Sequence, residues 1–106
     1  MEGQLAISQD QMALAAEEAA AALRALSNPS RLLILCILVE GERTVGELET
    51  ELGLGQAYVS QQLARLREDG LVAATRDGRL MRYRLSDGRI RPIMHAIYLQ
   101  YCPRPA

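Results

Sequence analysis

A series of helix caps and turn signals divides the middle of the chain into short elements. Thr44, followed three residues later by Glu47, forms a capping box that predicts a helix over residues 45–52. A glycine-containing turn at 53–55 comes next, and apolar residues at steps of four and three then predict a helix over residues 56–69. The middle of the fold must therefore contain two short helices joined by a tight turn.

A β-hairpin is predicted directly after these helices. Two runs of strand-forming residues, 71–75 and 80–85, flank the pair Asp77-Gly78. An Asp-Gly pair between such runs is a strong hairpin signal, because glycine readily adopts the positive φ that the tight turn requires. Helix, turn, helix and hairpin in this order are the arrangement of a winged helix-turn-helix.

Two more helices are predicted before this unit. In residues 10–27 apolar side chains recur at alternating steps of four and three, a seam suited to packing on another helix. The members of this seam are Met12, Ala16, Ala19, Leu23 and Leu26. Asn28-Pro29 supplies a cap and a proline at the first helical position, which favours a central buried helix over residues 29–40. So short an apolar run would also suit a buried strand.

A last helix is predicted over residues 89–101, with Asp87 as its cap and a wide apolar stripe along it. We expect a single domain over residues 1–106, mainly α with one hairpin. The first and last helices carry apolar stripes that a chain of 106 residues could hardly cover alone, so we expect a homodimer through these helices. A two-fold dimer would place its two recognition helices, residues 56–69 of each copy, about 34–36 Å apart.

Charge is distributed unevenly along the chain, although the net charge is only −1. Residues 1–52 contain nine acidic side chains and three arginines, whereas residues 60–91 contain eight arginines and four acidic side chains. Every basic residue is arginine, whose planar guanidinium suits bidentate contacts to phosphate and guanine. A solvated charged face would give the same pattern. The positive charge indicates a nucleic-acid partner only because it lies on the helix-turn-helix and the hairpin.

Several classes of protein are disfavoured by the sequence. No stretch reaches the roughly 18 apolar residues of a membrane span, and the first residues lack the pattern of a secretory signal. We therefore expect a cytoplasmic protein with no membrane partner, in which the two cysteines are kept reduced. No Cys-x-x-Cys motif and no His, Asn or Asp constellation accompanies either cysteine, so we expect neither an enzyme nor a bound cofactor. A winged-helix module that binds only proteins is an alternative interpretation. The arginine-rich wing disfavours it.

Four segments that are weak singly form a specific pattern together: ALSNPSRLLIL at 25–35, TVGEL at 44–48, VSQQLARLREDGLV at 59–72 and RDGR at 76–79. Over residues 25–85 this pattern resembles the ArsR family of winged-helix repressors. The resemblance implies a homodimeric repressor that an inducer releases from double-stranded operator DNA. The chain departs from the family pattern at Gly55, where serine usually caps the recognition helix, and at Gln62, where histidine is usual.

The expected DNA contacts follow from the position of each polar side chain on these elements. Base reading is assigned to the exposed N-terminal half of the recognition helix, because glutamine can pair with adenine and serine or tyrosine can contact base or phosphate. The candidates are Gln56, Tyr58, Ser60 and Gln61. Packing on the preceding helix is an equal alternative for Tyr58. Phosphate and minor-groove contacts are assigned to Arg65, Arg76, Arg79 and Arg82. Arg84 is interpreted as a plain solvated strand residue.

Metal sensing is the weaker of the alternatives that the family allows. Known sites in the family use Cys or His pairs on the third helix, or Asp and His sets on the last. The helix over residues 45–52 has neither Cys nor His, and the last helix offers only His95. One histidine cannot form a tetrahedral site, so we expect no metal and a partly exposed His95.

The two cysteines indicate sulfur chemistry instead. Cys36 in the second helix and Cys102 at the end of the last resemble the dithiol of the persulfide-sensing subgroup, the SqrR- and BigR-like repressors. In that subgroup reactive sulfur species such as organic persulfides link the two thiols, and the repressor leaves its DNA. The resemblance implies the same switch here, through a polysulfide or disulfide bridge.

Two points about this dithiol stay open at the level of sequence. A general oxidant sensor would use the same cysteines. Extra sulfurs in the bridge would be favoured if the helices held the thiols farther apart than a disulfide spans. Arg104 is a candidate to assist thiolate formation.

Overall fold

The computed structural model describes residues 7–102, which form five helices and a three-stranded antiparallel sheet. The elements are α1 (Gln9–Leu26), α2 (Pro29–Glu40), β1 (Arg43–Thr44), α3 (Val45–Leu52), α4 (Gln56–Glu68), β2 (Val72–Asp77), β3 (Leu80–Leu85) and α5 (Ile90–Tyr101). The predicted winged helix-turn-helix is confirmed, and the apolar run after Asn28 is a helix rather than a strand. Arg104 lies outside the described residues.

The local caps form as the sequence predicts. Asn28 Oδ1 accepts a hydrogen bond from the amide of Arg31 at 3.1 Å, so α2 starts at its proline. Thr44 Oγ1 accepts from the amide of Glu47 at 3.1 Å, and the Glu47 carboxylate accepts from the amide of Thr44 at 2.8 Å. Gly55 is the N-cap of α4 and gives it no side-chain bond. Both helices of the helix-turn-helix therefore begin where the sequence places them.

The sheet contains one strand more than predicted. β1 pairs with β3 through Arg43 opposite Tyr83 and Thr44 opposite Arg82, so the strand order is β1-β3-β2. β2 and β3 form the hairpin, and Gly78 supplies the positive φ of its turn. β1 therefore fixes the wing to the start of α3.

The start of α5 differs from the one predicted from the sequence. Asp87 does not cap the helix; Arg89 occupies the N-cap position and makes no side-chain capping bond. Asp87 instead pairs with Arg91 at 3.4 Å. Gly88, with φ of 95°, redirects the chain between Asp87 and the helix, and the helix begins beyond the reach of the expected cap.

The core is built around α2. Its buried side chains are Leu26, Ile34, Leu35, Leu38, Leu48, Val59, Leu63, Leu66, Leu71, Val72, Leu85, Ile90 and Met94. Leucine, isoleucine, valine and methionine fill this space in a chain without Phe or Trp. Because α2 packs against α5 and against α3, a displacement of α2 changes the packing of both.

α1 and α5 leave much apolar surface uncovered. Of the predicted seam on α1 only Leu26 is buried, whereas Met12 and Leu23 are more than half exposed. Leu99 and Tyr101 on α5 are exposed in the same way. Within the described residues no single helix is both long and apolar enough to cross a membrane; α1 and α2 meet that test only when taken together, across a bend of 95°.

Candidate nucleic-acid interface and dithiol site

One face of α4 is anchored in the core and the opposite face is open. Val59, Leu63 and Leu66 are fully buried, which orients the rest of the helix. The side chains assigned to the DNA are all exposed on this helix: Gln56, Tyr58, Ser60, Gln61 and Arg65. Tyr58 packs only partly on its neighbours, because 38% of this residue remains accessible. The open face of α4 thus presents amide, hydroxyl and guanidinium groups together.

The arginines of the wing differ in their surroundings. Arg76 and Arg79 lie exposed beside the hairpin turn, and neither forms an ion pair within residues 7–102. Arg82 is half-buried and donates through Nε to Asp77 at 3.0 Å. Arg84 is a correction: it is half-buried and donates to Thr75 Oγ1 at 2.8 Å, so it is not simply solvated. Arg76 and Arg79 are the wing cations most open to an anionic partner.

A buried polar contact that the sequence analysis missed ties α4 to α2. Gln62 is 8% exposed, and its Oε1 accepts from Arg31 Nε at 3.3 Å. Arg31 also donates to the carbonyl of Ala25 at 3.0 Å. A buried amide needs a partner, and the arginine in the first turn of α2 supplies it. The polar Gln62 among the leucines of α4 was the signal that could have shown this contact.

The two cysteines lie side by side. Cys36 is on α2, Cys102 is the C-cap of α5, and both are half-buried free thiols. Cys102 donates to Cys36 with 2.7 Å between the sulfur atoms. An S–S bond is about 2.05 Å long, so the pair stands close to bonding distance. Distance alone therefore gives a bridge with extra sulfurs no advantage over a direct disulfide.

A second cross-helix contact lies one helical turn away. Glu40 follows Cys36 by four residues on α2, and Tyr98 precedes Cys102 by four residues on α5. The Tyr98 hydroxyl donates to Glu40 Oε2 at 2.9 Å. Neither Glu40 nor Tyr98 is predicted as part of the site from the sequence, although the four-residue spacing places each on the same helical face as its cysteine.

Burial and charge hold Cys36 in its protonated form. Four causes together raise the pKa of Cys36 from 9.0 to about 12: in decreasing order, desolvation by burial, the hydrogen bond with Cys102, the charge of Cys102 and the charge of Glu40. The thiolate is the reactive form of cysteine. Cys36 is therefore a poor initial nucleophile near neutral pH.

Glu40 also connects the dithiol site to the helix-turn-helix. Arg43 pairs with Glu40 at 3.4 Å and, through Nε, with Glu51 of α3 at 2.7 Å. Arg43 belongs to β1, which pairs with β3 of the wing. The chain of contacts from Tyr98 thus reaches α3 and the wing without a break.

Metal binding is the other sensing chemistry that the resemblance allows. Among residues 7–102 no group of three or more His, Cys, Asp or Glu side chains is arranged to hold a metal ion. His95 lies exposed on α5.

The fold and its exposed surfaces define a winged helix-turn-helix DNA-binding protein. The recognition helix is exposed, the wing carries open arginines, and the central helix carries one of the two cysteines of the dithiol. The family model for bacterial regulatory proteins of the arsR family matches residues 28–74. The chain is 42% identical over 96 residues to the biofilm growth-associated repressor of Xylella fastidiosa strain Temecula1, covering 91% of this chain and 84% of that protein. It belongs to the ArsR family of transcriptional regulators, which are not enzymes.

Solved structures of relatives have the same fold. The crystal structure of the transcriptional repressor BigR from Xylella fastidiosa matches with a TM-score of 0.85 and 42% identity, covering 90% of this chain and 94% of that one. Reduced HlyU from Vibrio cholerae matches with a TM-score of 0.82 and 36% identity, covering 88% of this chain and 98% of that one. The fold is therefore shared over nearly the whole length of these regulators.

Proposed function

We propose that this chain is a dithiol-based transcriptional repressor that binds operator DNA as a homodimer and releases it when reactive sulfur species link Cys36 to Cys102. The observation that carries the proposal is the 2.7 Å between the two sulfur atoms, which lie on different helices and 66 residues apart in sequence. The repressor named among the relatives supports the direction of control. A solved relative from Mycobacterium bovis described as homodimeric supports the dimer.

The DNA-binding part rests on the exposed polar face of α4 and on the wing. The open glutamines and hydroxyls of α4 suit base edges in the major groove. Arg65, Arg76 and Arg79 suit phosphates, and Arg82 can add to them only by loosening its bond to Asp77. In a dimer through α1 and α5, two such surfaces would face successive turns of the duplex.

The sensing reaction starts in this proposal at Cys102, because Cys36 is held protonated. The thiolate of Cys102 attacks the terminal sulfur of a persulfide R–S–SH; the S–S bond of the donor breaks, RS⁻ leaves and Cys102 carries S–SH. Cys36 then attacks Cys102 Sγ, forms the disulfide and expels HS⁻, which takes up the Cys36 proton. Two thiols are oxidised, and the sulfane sulfur is reduced to hydrogen sulfide. A second donor molecule reacting before closure would leave one more sulfur in the bridge.

Two polar contacts support the coupling of this reaction to DNA release. Cys36 shares α2 with Arg31, which holds Gln62 of the recognition helix. Glu40, one turn from Cys36, reaches α3 through Arg43. A bridge that shifts α2 against α5 would move both helices of the helix-turn-helix. A coupling of about 1–3 kcal/mol, roughly 5–150-fold in affinity, is typical of such switches.

A general oxidant sensor is a second candidate, favoured by the same 2.7 Å separation, because peroxide chemistry gives a direct disulfide. The deciding experiment treats the reduced protein separately with glutathione persulfide and with hydrogen peroxide. It follows fluorescence anisotropy on a labelled duplex from the region upstream of the gene, and it identifies the bridge by mass spectrometry. Release by persulfide at concentrations at which peroxide has no effect supports the proposal. Release by peroxide alone supports the second candidate, and release by neither rejects both.

A further inference from the structure

Each of the two cysteines lines the same two cavities, which differ in size and in the presence of a carboxylate. A small cavity of 160 Å³ is completed by Leu33, Ile37, Glu40 and Tyr98. A larger one of 630 Å³ is completed by Pro29, Leu32, Leu33, Ile97 and Tyr101. No charged side chain lines the larger cavity, whereas the Glu40 carboxylate lines the smaller one. The thiol pair thus lies between a larger cavity without charged side chains and a smaller one that a single carboxylate borders.

We propose that the larger cavity binds the organic group of the sulfur donor, and that the preferred donors are hydropersulfides with an uncharged, apolar alkyl or aryl group. This inference rests on the proposed function. A volume of 630 Å³ lies within the range of about 300–1,000 Å³ that small-molecule sites occupy, and an apolar lining is typical of them. A donor seated there presents its terminal sulfur to the two thiols in its wall.

Charge selects against the common cellular donor. Glutathione persulfide carries more carboxylates than ammonium groups, and none of the side chains lining the larger cavity could neutralise them. The carboxylate of Glu40 on the other side of the thiols, half exposed and paired with Arg43, adds only a weak repulsion of an anionic donor. An uncharged organic group meets neither cost, since apolar contact is all that the cavity offers.

A small molecule is a better occupant of this cavity than a second copy of the chain. The lining residues belong to α2 and α5, and none belongs to α1, which carries the other half of the proposed dimer face. A protein surface seated on the cavity would also close the approach to the thiols that the sensing reaction needs. Leu33, which lines the cavity from α2 and so lies outside the proposed dimer face, is 53% exposed and leaves that approach open.

The test compares three donors on the reduced protein: benzyl hydropersulfide, glutathione persulfide and inorganic disulfide, which has no organic group. The reaction is quenched at successive times, and the rate of Cys36–Cys102 bridging is measured by mass spectrometry. We expect benzyl hydropersulfide to react about tenfold faster than glutathione persulfide, the scale on which an apolar pocket discriminates. Leu33→Gln, which makes the cavity wall polar at a residue 53% exposed, should remove most of that advantage.

Leu80→Gln is the matched control, because Leu80 is 51% exposed and lies on the wing, away from the cavity. It should leave all three bridging rates unchanged. Equal rates for the two organic donors, or no effect of Leu33→Gln on their ratio, would overturn the inference while bridging by inorganic disulfide still upholds the proposed function. Equal slowing of all three donors by Leu33→Gln, with a change of oligomeric state, would assign the cavity to a second copy instead. Failure of every donor to form a bridge would reject the proposed function itself.

Discussion

The hydroxyl of Tyr98 donates to Glu40 at 2.9 Å, one helical turn from the place where Cys102 meets Cys36. These two contacts set the register of α5 against α2. Glu40 passes the connection to Arg43 and so to α3. A change at the thiols therefore acts on a contact that already reaches the DNA-binding half of the chain.

Replacement of either cysteine should separate DNA binding from release. Cys36→Ser and Cys102→Ser should each bind the duplex with the affinity of the reduced parent, because neither side chain lies on α4 or the wing. Neither variant should release it with persulfide, since the bridge needs both sulfurs. Anisotropy titrations before and after treatment test this expectation.

The order of attack can be read from the same two variants. Cys36→Ser should still gain one sulfur at Cys102, whereas Cys102→Ser should react far more slowly at neutral pH, because its remaining thiol is held protonated by burial and by Glu40. Intact-mass spectra over time distinguish the two. Faster sulfur uptake by Cys102→Ser than by Cys36→Ser would reverse the proposed order.

Removal of the Glu40 charge should make Cys36 more reactive. The negative charge raises the pKa of Cys36, so Glu40→Gln lowers that pKa and increases the thiolate fraction at any pH below it. The rate of Cys36 alkylation between pH 7 and 9, resolved by peptide mass spectrometry, should rise. Tyr98→Phe removes the hydrogen bond and keeps the charge of Glu40, so it separates the two effects.

Glu42→Gln is the control for this comparison, because the same charge is removed from an exposed residue that does not contribute to the raised pKa of Cys36. An equal rise in both variants would mean that net charge, rather than Glu40 itself, controls the thiol.

The sequence predicts those parts of the fold that local chemistry determines. α2 and α3 start where Asn28 and Thr44 cap them, and the wing turns at Gly78. β1 was missed because its two residues are held by pairing with β3, almost 40 positions away, and not by any preference of their own. The candidate site divides in the same way: the exposed face of α4 follows from helical periodicity, whereas the Glu40–Tyr98 contact depends on how two distant helices align.

The wing arginines should contribute unequally to DNA affinity. Arg76→Ala and Arg79→Ala should weaken binding to all sequences and lower the slope of log K against log salt by about 0.9 each, the value for one phosphate contact. Arg82→Ala should have a smaller effect, because Arg82 is already bonded to Asp77. Salt titrations on operator and unrelated duplexes measure both quantities. An equal loss of DNA affinity in all three variants would show that the ion pair with Asp77 does not limit the contribution of Arg82.

Gln62 should matter for stability rather than for contact with DNA. Gln62→Ala leaves Arg31 without its side-chain acceptor in a part-buried position, and an unsatisfied group of this kind costs about 1–3 kcal/mol. The neighbouring Gln61→Ala removes an exposed amide, so it should leave the free energy of unfolding nearly unchanged and weaken base recognition instead. Urea unfolding of the reduced variants and binding to operator and mismatched duplexes separate the two roles. If Gln62→Ala unfolds at the same urea concentration as the parent, the contact between α2 and α4 is not a stabilising one, and the path from Glu40 through Arg43 to α3 is then the remaining polar connection between the dithiol and the helix-turn-helix.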